Sequence, residues 1–141
     1  MDFIVGKCLC EQISISITKE AYGATDRTYV CHCKNCRQCG GSLSAVAVIV
    51  PISAIQITGE PKMYQDGETD SGTVIQRAFC SNCGSQLYTT SPTMPGVKII
   101  KLGLFDDIPK PSMELYCKER PSWEKPIDGT KQFHAMPTRQ S

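Results

Sequence analysis

No window of this chain approaches the roughly 18 uninterrupted apolar residues that a membrane-crossing helix requires. The longest apolar run, AVAVIVPISAI, is broken by Pro51, so no membrane partner is expected. An excess of charge is also missing: 15 Lys and Arg stand against 14 Asp and Glu, for a net charge of +1 and a pI near 7.5. The basic residues are scattered rather than bunched, which leaves no field suited to phosphates and makes nucleic acid an unexpected partner. The N-terminus MDFIVGKCLC has an acid at position 2 and cysteines where a secretory leader needs plain apolar residues, and a cytoplasmic, reducing compartment is the expectation. Helical periodicity is sparse, and no repeat exists beyond paired cysteines.

What the chain does have is short β-branched runs and many cysteines. In QISISIT (12–18), Ile13, Ile15 and Ile17 alternate with polar residues, the period-two signature of a strand with one buried face. RTYVCHC (27–33), LSAVAVIV (43–50), AIQIT (54–58), VIQRAFC (74–80), QLYTT (86–90) and VKIIKLGLF (97–105) are similar runs. Turn signals such as Thr58-Gly59-Glu60-Pro61 and Asp70-Ser71-Gly72 separate them. A mainly β, single-domain fold is predicted, with helical turns only near 34–40 and 51–55. At 141 residues one core suffices. The domain is expected to span 1–135, with 136–141 as a frayed tail. From Pro109 onward, prolines at 109, 111, 121, 126 and 137 alternate with Tyr116, Trp123 and Phe133. This spacing predicts an extended strap whose rings dock on the domain.

Eight of the nine cysteines form three clusters: Cys8-x-Cys10, then Cys31-x-Cys33-x-x-Cys36-x-x-Cys39, then Cys80-x-x-Cys83 followed by Gly84. On a strand, side chains two apart share a face, so each C-x-C pair is expected to project together from its strand. FCSNCG (79–84) reads as a zinc knuckle whose glycine gives the turn its backbone freedom. Two thiolates do not close a tetrahedron, and Cys8 with Cys10 is the economical completion, forming a structural four-cysteine zinc site. Cys31, Cys33 and Cys36 then remain as a three-thiolate set, the ligand count of catalytic sites that leave a fourth position to substrate. Disulfides are disfavoured by the odd count, the reducing compartment and the close sequence spacing.

The full pattern resembles the glutathione-dependent formaldehyde-activating enzyme family, which includes centromere protein V. The carriers are C-x-C, C-x-C-x-x-C followed by Arg37, Gly41 and Ser42, F-C-x-x-C-G, KLGLFDD (101–107), Tyr116-Cys117-Lys118, Trp123 and GTKQF (129–133). The resemblance implies a β-tent-like fold with two zinc ions, a structural one on Cys8, Cys10, Cys80 and Cys83 and a catalytic one on Cys31, Cys33 and Cys36. It also implies a carbon–sulfur lyase activity joining formaldehyde to glutathione, and a small-molecule partner such as a glutathione adduct. The alternative is a non-catalytic, zinc-stabilised protein-binding module with both sites structural.

Cys39 departs from the family pattern. It has three readings: a fourth ligand that closes the second site, a pocket thiol, or a packed residue. His32, between two cysteines, is expected to face away from them as a packed or surface residue, its functional reading being a general acid or base; His134 is expected in solvent. Lys34 and Arg37 are read either as partners for a substrate carboxylate or as surface charges. Gly40, Gly41 and Ser42 line a ligand or form a plain turn, Asp106 and Asp107 form a carboxylate pair or a turn, and Cys117 is a lone thiol. Oligomeric state is left open.

Overall fold

Alternating isoleucines and valines build the interior of the protein, seen in a computed structural model that describes residues 2–137. In chain order the elements are β1 (Phe3–Lys7), β2 (Ser14–Thr18), α1 (Lys19–Tyr22), β3 (Thr28–Cys31), α2 (Lys34–Gly40), β4 (Ala45–Pro51), β5 (Ile55–Thr58), β6 (Lys62–Asp66), β7 (Ile75–Phe79), β8 (Gln86–Thr90), β9 (Val97–Lys101), β10 (Met113–Leu115) and β11 (Lys131–Gln132). The chain is mainly β. β1, β2 and β5 form an antiparallel three-stranded sheet, and the other strands form an eight-stranded sheet in the order β11-β10-β3-β4-β9-β8-β7-β6. The larger sheet is antiparallel except at one end, where β10 runs parallel to both β3 and β11. Among the described residues, no helix is long and apolar enough to cross a membrane.

Register divides the larger sheet into two faces. Residues directly opposite one another share a face, so Val48, Ile100, Tyr88 and Ala78 form one continuous row across β4, β9, β8 and β7. That row packs against Ile13, Ile15 and Ile17 from the smaller sheet and forms the main core. The next row along, Ile49, Ile99, Thr89 and Arg77, lies on the opposite face. Lys101, Ala47 and Tyr29 share that second face, with Cys31 two residues beyond Tyr29. Apolar core and polar site are therefore back to back on one sheet.

Several expectations need correction. The runs at 12–18, 27–33 and 97–105 give strands shorter than their apolar patterns, and the last ends in a 3₁₀ turn at Leu102–Leu104. The 51–55 turn is likewise 3₁₀, over Ile52–Ala54. β6 carries little apolar alternation because four of its five residues are exposed, and it is a strand by virtue of its pairing with β7. The C-terminal segment contributes strands as well as extended chain: β10 inserts beside β3, Tyr116 is buried, and Phe133 packs near Cys31 and Leu115. Trp123, expected to dock, is 71% exposed. Trp123 lies in a turn beside exposed Ser122, and it is the next residue, half-buried Glu124, whose carboxylate turns inward to 3.9 Å from His32 Nδ1. Of the expected tail 136–141, residues 138–141 lie outside the described residues.

Glu114 on β10 fastens this segment. Its buried carboxylate accepts hydrogen bonds from Gln132 Nε2 (2.7 Å), His32 Nε2 (2.7 Å), the Ile127 amide (2.8 Å) and Thr130 Oγ1 (3.2 Å). Burial alone would raise its pKa, but these donors together outweigh burial and bring it down to about 2.

Two predictions follow from this packing. A carboxylate held below its unfolded pKa stabilises the fold above that pKa and loses the contribution as pH falls through the folded value. The stability difference between the native protein and Glu114→Gln should thus be largest near neutrality and shrink as pH drops from about 4.5 to about 2, as read by denaturant titration. Gly59 has φ +94°, and a Cβ there would sit 2.5 Å from the Gln12 carbonyl oxygen. Gly59→Ala should cost about 2 kcal/mol or more, measured by the same titration.

Candidate functional site

Seven cysteines converge into two groups, and within each group the sulfurs lie within 4.8 Å of one another. All nine cysteines are free thiols. The first group joins Cys8 and Cys10 to Cys80 and Cys83. Cys8 and Cys10 sit on a turn just past β1 rather than on a strand, because the Glu11 amide folds back onto the Cys8 carbonyl (3.0 Å). The matching turn after β7 is closed by Gly84 N–H to the Cys80 carbonyl (2.8 Å), with Gly84 at φ +79° as a tight knuckle requires. Ser85 Oγ accepts from the Leu9 amide at 3.0 Å and joins the two turns. Sulfur separations are 3.6 Å for Cys8–Cys10 and 3.7 Å for Cys10–Cys80. The edge of a thiolate tetrahedron with metal–sulfur bonds near 2.3 Å is about 3.8 Å, so this donor set fits a metal ion. Hydrogen bonds from the Ser85 hydroxyl and from the Ser85 and Cys10 amides bring Cys83 down to about 5, favouring the thiolate a metal needs.

The second group is built at a strand-to-helix junction. Cys31 is the last residue of β3, Cys33 caps the N-terminus of α2, and Cys36 lies one turn in. The expected shared strand for Cys31 and Cys33 is absent, since the chain leaves the ladder to start the helix. Cys33 Sγ instead accepts from the Cys36 amide at 3.3 Å, and the three sulfurs still meet. Hydrogen bonding to Cys33 and Cys36, followed by burial, pushes the Cys31 thiol up. The same contacts with Cys31 and Cys33 pull Cys36 down. Without a cation, the three sulfurs share protons rather than ionise together.

These sulfurs face a cavity of about 500 Å³. Its walls come from the second face of the sheet, from α2, and from the 68–73 loop. Asn35 ties helix to loop, donating from Nδ2 to Asp66 Oδ2 (2.9 Å) and to the Glu68 carbonyl (2.8 Å).

Cys39 does not join the three-sulfur group. Its thiol points toward Gln86, donating to Oε1 at 2.7 Å, and it lines a separate cavity of about 370 Å³. It is therefore neither a fourth ligand nor part of the three-sulfur cavity wall, but a thiol on the neighbouring cavity. His32 faces away from the cysteines, as expected, and is fully buried with Nε2 on Glu114; His134 is exposed. Lys34 lines the cysteine cavity, whereas Arg37 lines a shallow groove outside it. Gly41, at φ +64°, ends α2 with its amide on the Arg37 carbonyl (2.8 Å), so the plain-turn reading describes it. Asp106 and Asp107 are exposed, and the Asp107 carbonyl accepts the Tyr22 hydroxyl. Cys117 is half-buried and near Gln132 (3.3 Å). Sequence reasoning missed Arg77 and Lys101 in the cavity wall; the available signal was Arg77, a charged residue in the middle of a β-branched run.

A family model described as "Glutathione-dependent formaldehyde-activating enzyme" matches residues 3–119. A Podospora anserina protein provisionally named a glutathione-dependent formaldehyde-activating enzyme is 30% identical over 82 residues, 58% of this chain and 37% of that protein. An uncharacterized lyase of Schizosaccharomyces pombe is 30% identical over 86 residues, 59% of this chain and 54% of that protein. The chain thus spans about two-fifths to half the length of these curated relatives. A crystal structure of a Rhodobacter sphaeroides protein superposes with a TM-score of 0.58 at 20% identity, covering 75% of this chain and 91% of that one, and shares the fold. With the family pattern running through 3–119 and both cysteine groups assembled, this chain belongs to the glutathione-dependent formaldehyde-activating enzyme family.

Proposed function

We propose that the chain is a zinc-dependent lyase of the carbon–sulfur type, acting on a glutathione-type thiol adduct or a small carbonyl compound. Cys8, Cys10, Cys80 and Cys83 hold a structural zinc, and Cys31, Cys33 and Cys36 hold a catalytic one. The observation that carries this reading is the second group: three sulfurs on a cavity wall, with no fourth cysteine, histidine or carboxylate joining them among the described residues. Cys39, the residue that would have favoured a closed, purely structural site, is directed to Gln86.

When bound, zinc supplies a Lewis-acidic position that holds a thiolate or polarises a carbonyl oxygen. The reaction balances without an oxidant: the thiol sulfur bonds to the carbonyl carbon, the thiol proton ends on the oxygen, and the reverse cleaves the same bond. The protein binds and shapes. Cys31 is held rigidly by the pairing of β3 with β4 and β10. Cys33 and Cys36 are held by the first turn of α2, and Leu115 and Tyr116 give the cavity an apolar side. His32 is sealed on the far side of β3, so it positions β10 and does not touch substrate. Residues 1–135 are proposed as one catalytic domain working in a reducing, cytoplasmic setting, where thiolates persist.

Metal analysis of fully reduced protein should find two zinc ions per chain. Cys36→Ser should lose one zinc and the lyase activity while keeping the fold. Cys39→Ser should keep both ions with zinc affinity unchanged. A single zinc, with Cys31, Cys33 and Cys36 metal-free, would contradict the proposal.

A further inference from the structure

The second face of the larger sheet carries two cations that the three-cysteine site does not need for its geometry. Arg77, on β7, is only 5% exposed, a depth at which arginine is rare without a purpose for its donors. Its Nε donates to Asp66 Oδ2 at 2.8 Å. Asp66 is fully occupied, since Oδ2 also accepts from Asn35 (2.9 Å) and Oδ1 accepts from the Glu68 amide (3.2 Å). The carboxylate thus grips the guanidinium by one edge and leaves the terminal nitrogens pointing elsewhere. Among the described residues, neither terminal nitrogen has an acceptor. They are not sealed, because the enclosed side-chain atoms without partners are His32 Nδ1, Arg37 Nε and Glu124 Oε2. What they face is the cavity that the three cysteines also line.

Lys101 lies on the same face two strands away, half-buried, and takes part in no ion pair among the described residues. Buried Thr89 sits between them, directly opposite Arg77 in register. The cavity's acids are elsewhere: Glu68 and Asp70 are exposed at the rim, and Glu119 accepts from the Lys34 amide. The sheet side of the cavity therefore carries Arg77 and Lys101, while its exposed charges are Glu68, Asp70 and Lys34. A guanidinium with two free donors and an ammonium on the same cavity wall together offer a receptor for a carboxylate.

We infer that Arg77 and Lys101 bind a carboxylate of the substrate, so that the site takes acidic thiols or acidic thiol adducts and discriminates against neutral ones. This rests on the open three-cysteine zinc site proposed above. The rival explanation is that the two cations only balance the negative charge of the metal–thiolate group. The two make different demands on a thiol ligand, because only the first depends on the ligand's own charge.

The test uses protein loaded with Co²⁺ in place of zinc and titrated with 3-mercaptopropionate or 2-mercaptoethanol, following the sulfur-to-cobalt absorption, with metal retention checked after each titration. The native protein should bind 3-mercaptopropionate about tenfold or more tightly than 2-mercaptoethanol. Arg77→Gln should abolish that preference, Lys101→Met should reduce it, and 2-mercaptoethanol affinity should stay within about twofold in both. Should Arg77→Gln fail to fold because Asp66 loses its partner, Lys101→Met at its half-buried position decides alone. No preference in the native protein, a preference that survives in the variants, or an equal loss for both thiols would overturn the carboxylate site and leave the open zinc site standing. If neither thiol changes the absorption, the open-metal reading itself falls, and this inference with it.

Discussion

Seven sulfur atoms crowded into two groups, with separations as short as 3.6 Å, are the constraint on which this protein depends. Thiolates at such distances repel, and mutual hydrogen bonding pushes the Cys31 thiol up while pulling Cys36 down. A divalent cation held there would remove the conflict, and its binding energy would become folding energy. The first group joins the turn after β1 to the turn after β7, with Cys10 and Cys80 lying 70 positions apart. It therefore fastens the smaller sheet to the larger one.

The larger sheet then serves two ends at once. One face, through Val48, Ile100, Tyr88 and Ala78, packs on the isoleucines of β2 and holds the fold together. The other, through Cys31, Lys101, Thr89 and Arg77, lines the cavity under α2 and the 68–73 loop. Small Ala47, opposite both Tyr29 and Lys101, leaves room on that face. A β-bulge where β7 meets β8, at Ala78 and Phe79, shifts register just before the knuckle of Cys80 and Cys83, a usual place for a sheet to re-aim its residues. The four-cysteine group, core and cavity are consecutive along the same strands.

Much of this was legible in the sequence, for physical reasons that differ by residue. The isoleucines of β2 and the β-branched runs of β4 and β9 show their strands because burial on one face imposes a period of two. The partition of seven cysteines into two groups was legible because C-x-C and C-x-x-C spacings bring sulfurs together locally. Less legible were features set by partners far along the chain. β6 is a strand because β7 pairs with it, and Glu114 is buried because His32, Gln132 and the Ile127 amide surround it. Trp123 is exposed in a turn while the neighbouring Glu124 reaches toward His32, far back in the sequence. Cys39, spaced as well as Cys36 for ligation, is drawn to Gln86 by an approach that no local pattern encodes.

The central claim is that one zinc is closed by four sulfurs and the other is held by three. X-ray absorption at the zinc edge, on fully reduced protein with two ions bound, measures this directly. The account predicts an average of about 3.5 sulfur neighbours per zinc near 2.3 Å with a shell of lighter atoms, and an average that rises toward four when a thiol ligand is added. Four sulfurs per zinc in the ligand-free protein would contradict it, since the fourth position would then belong to the chain.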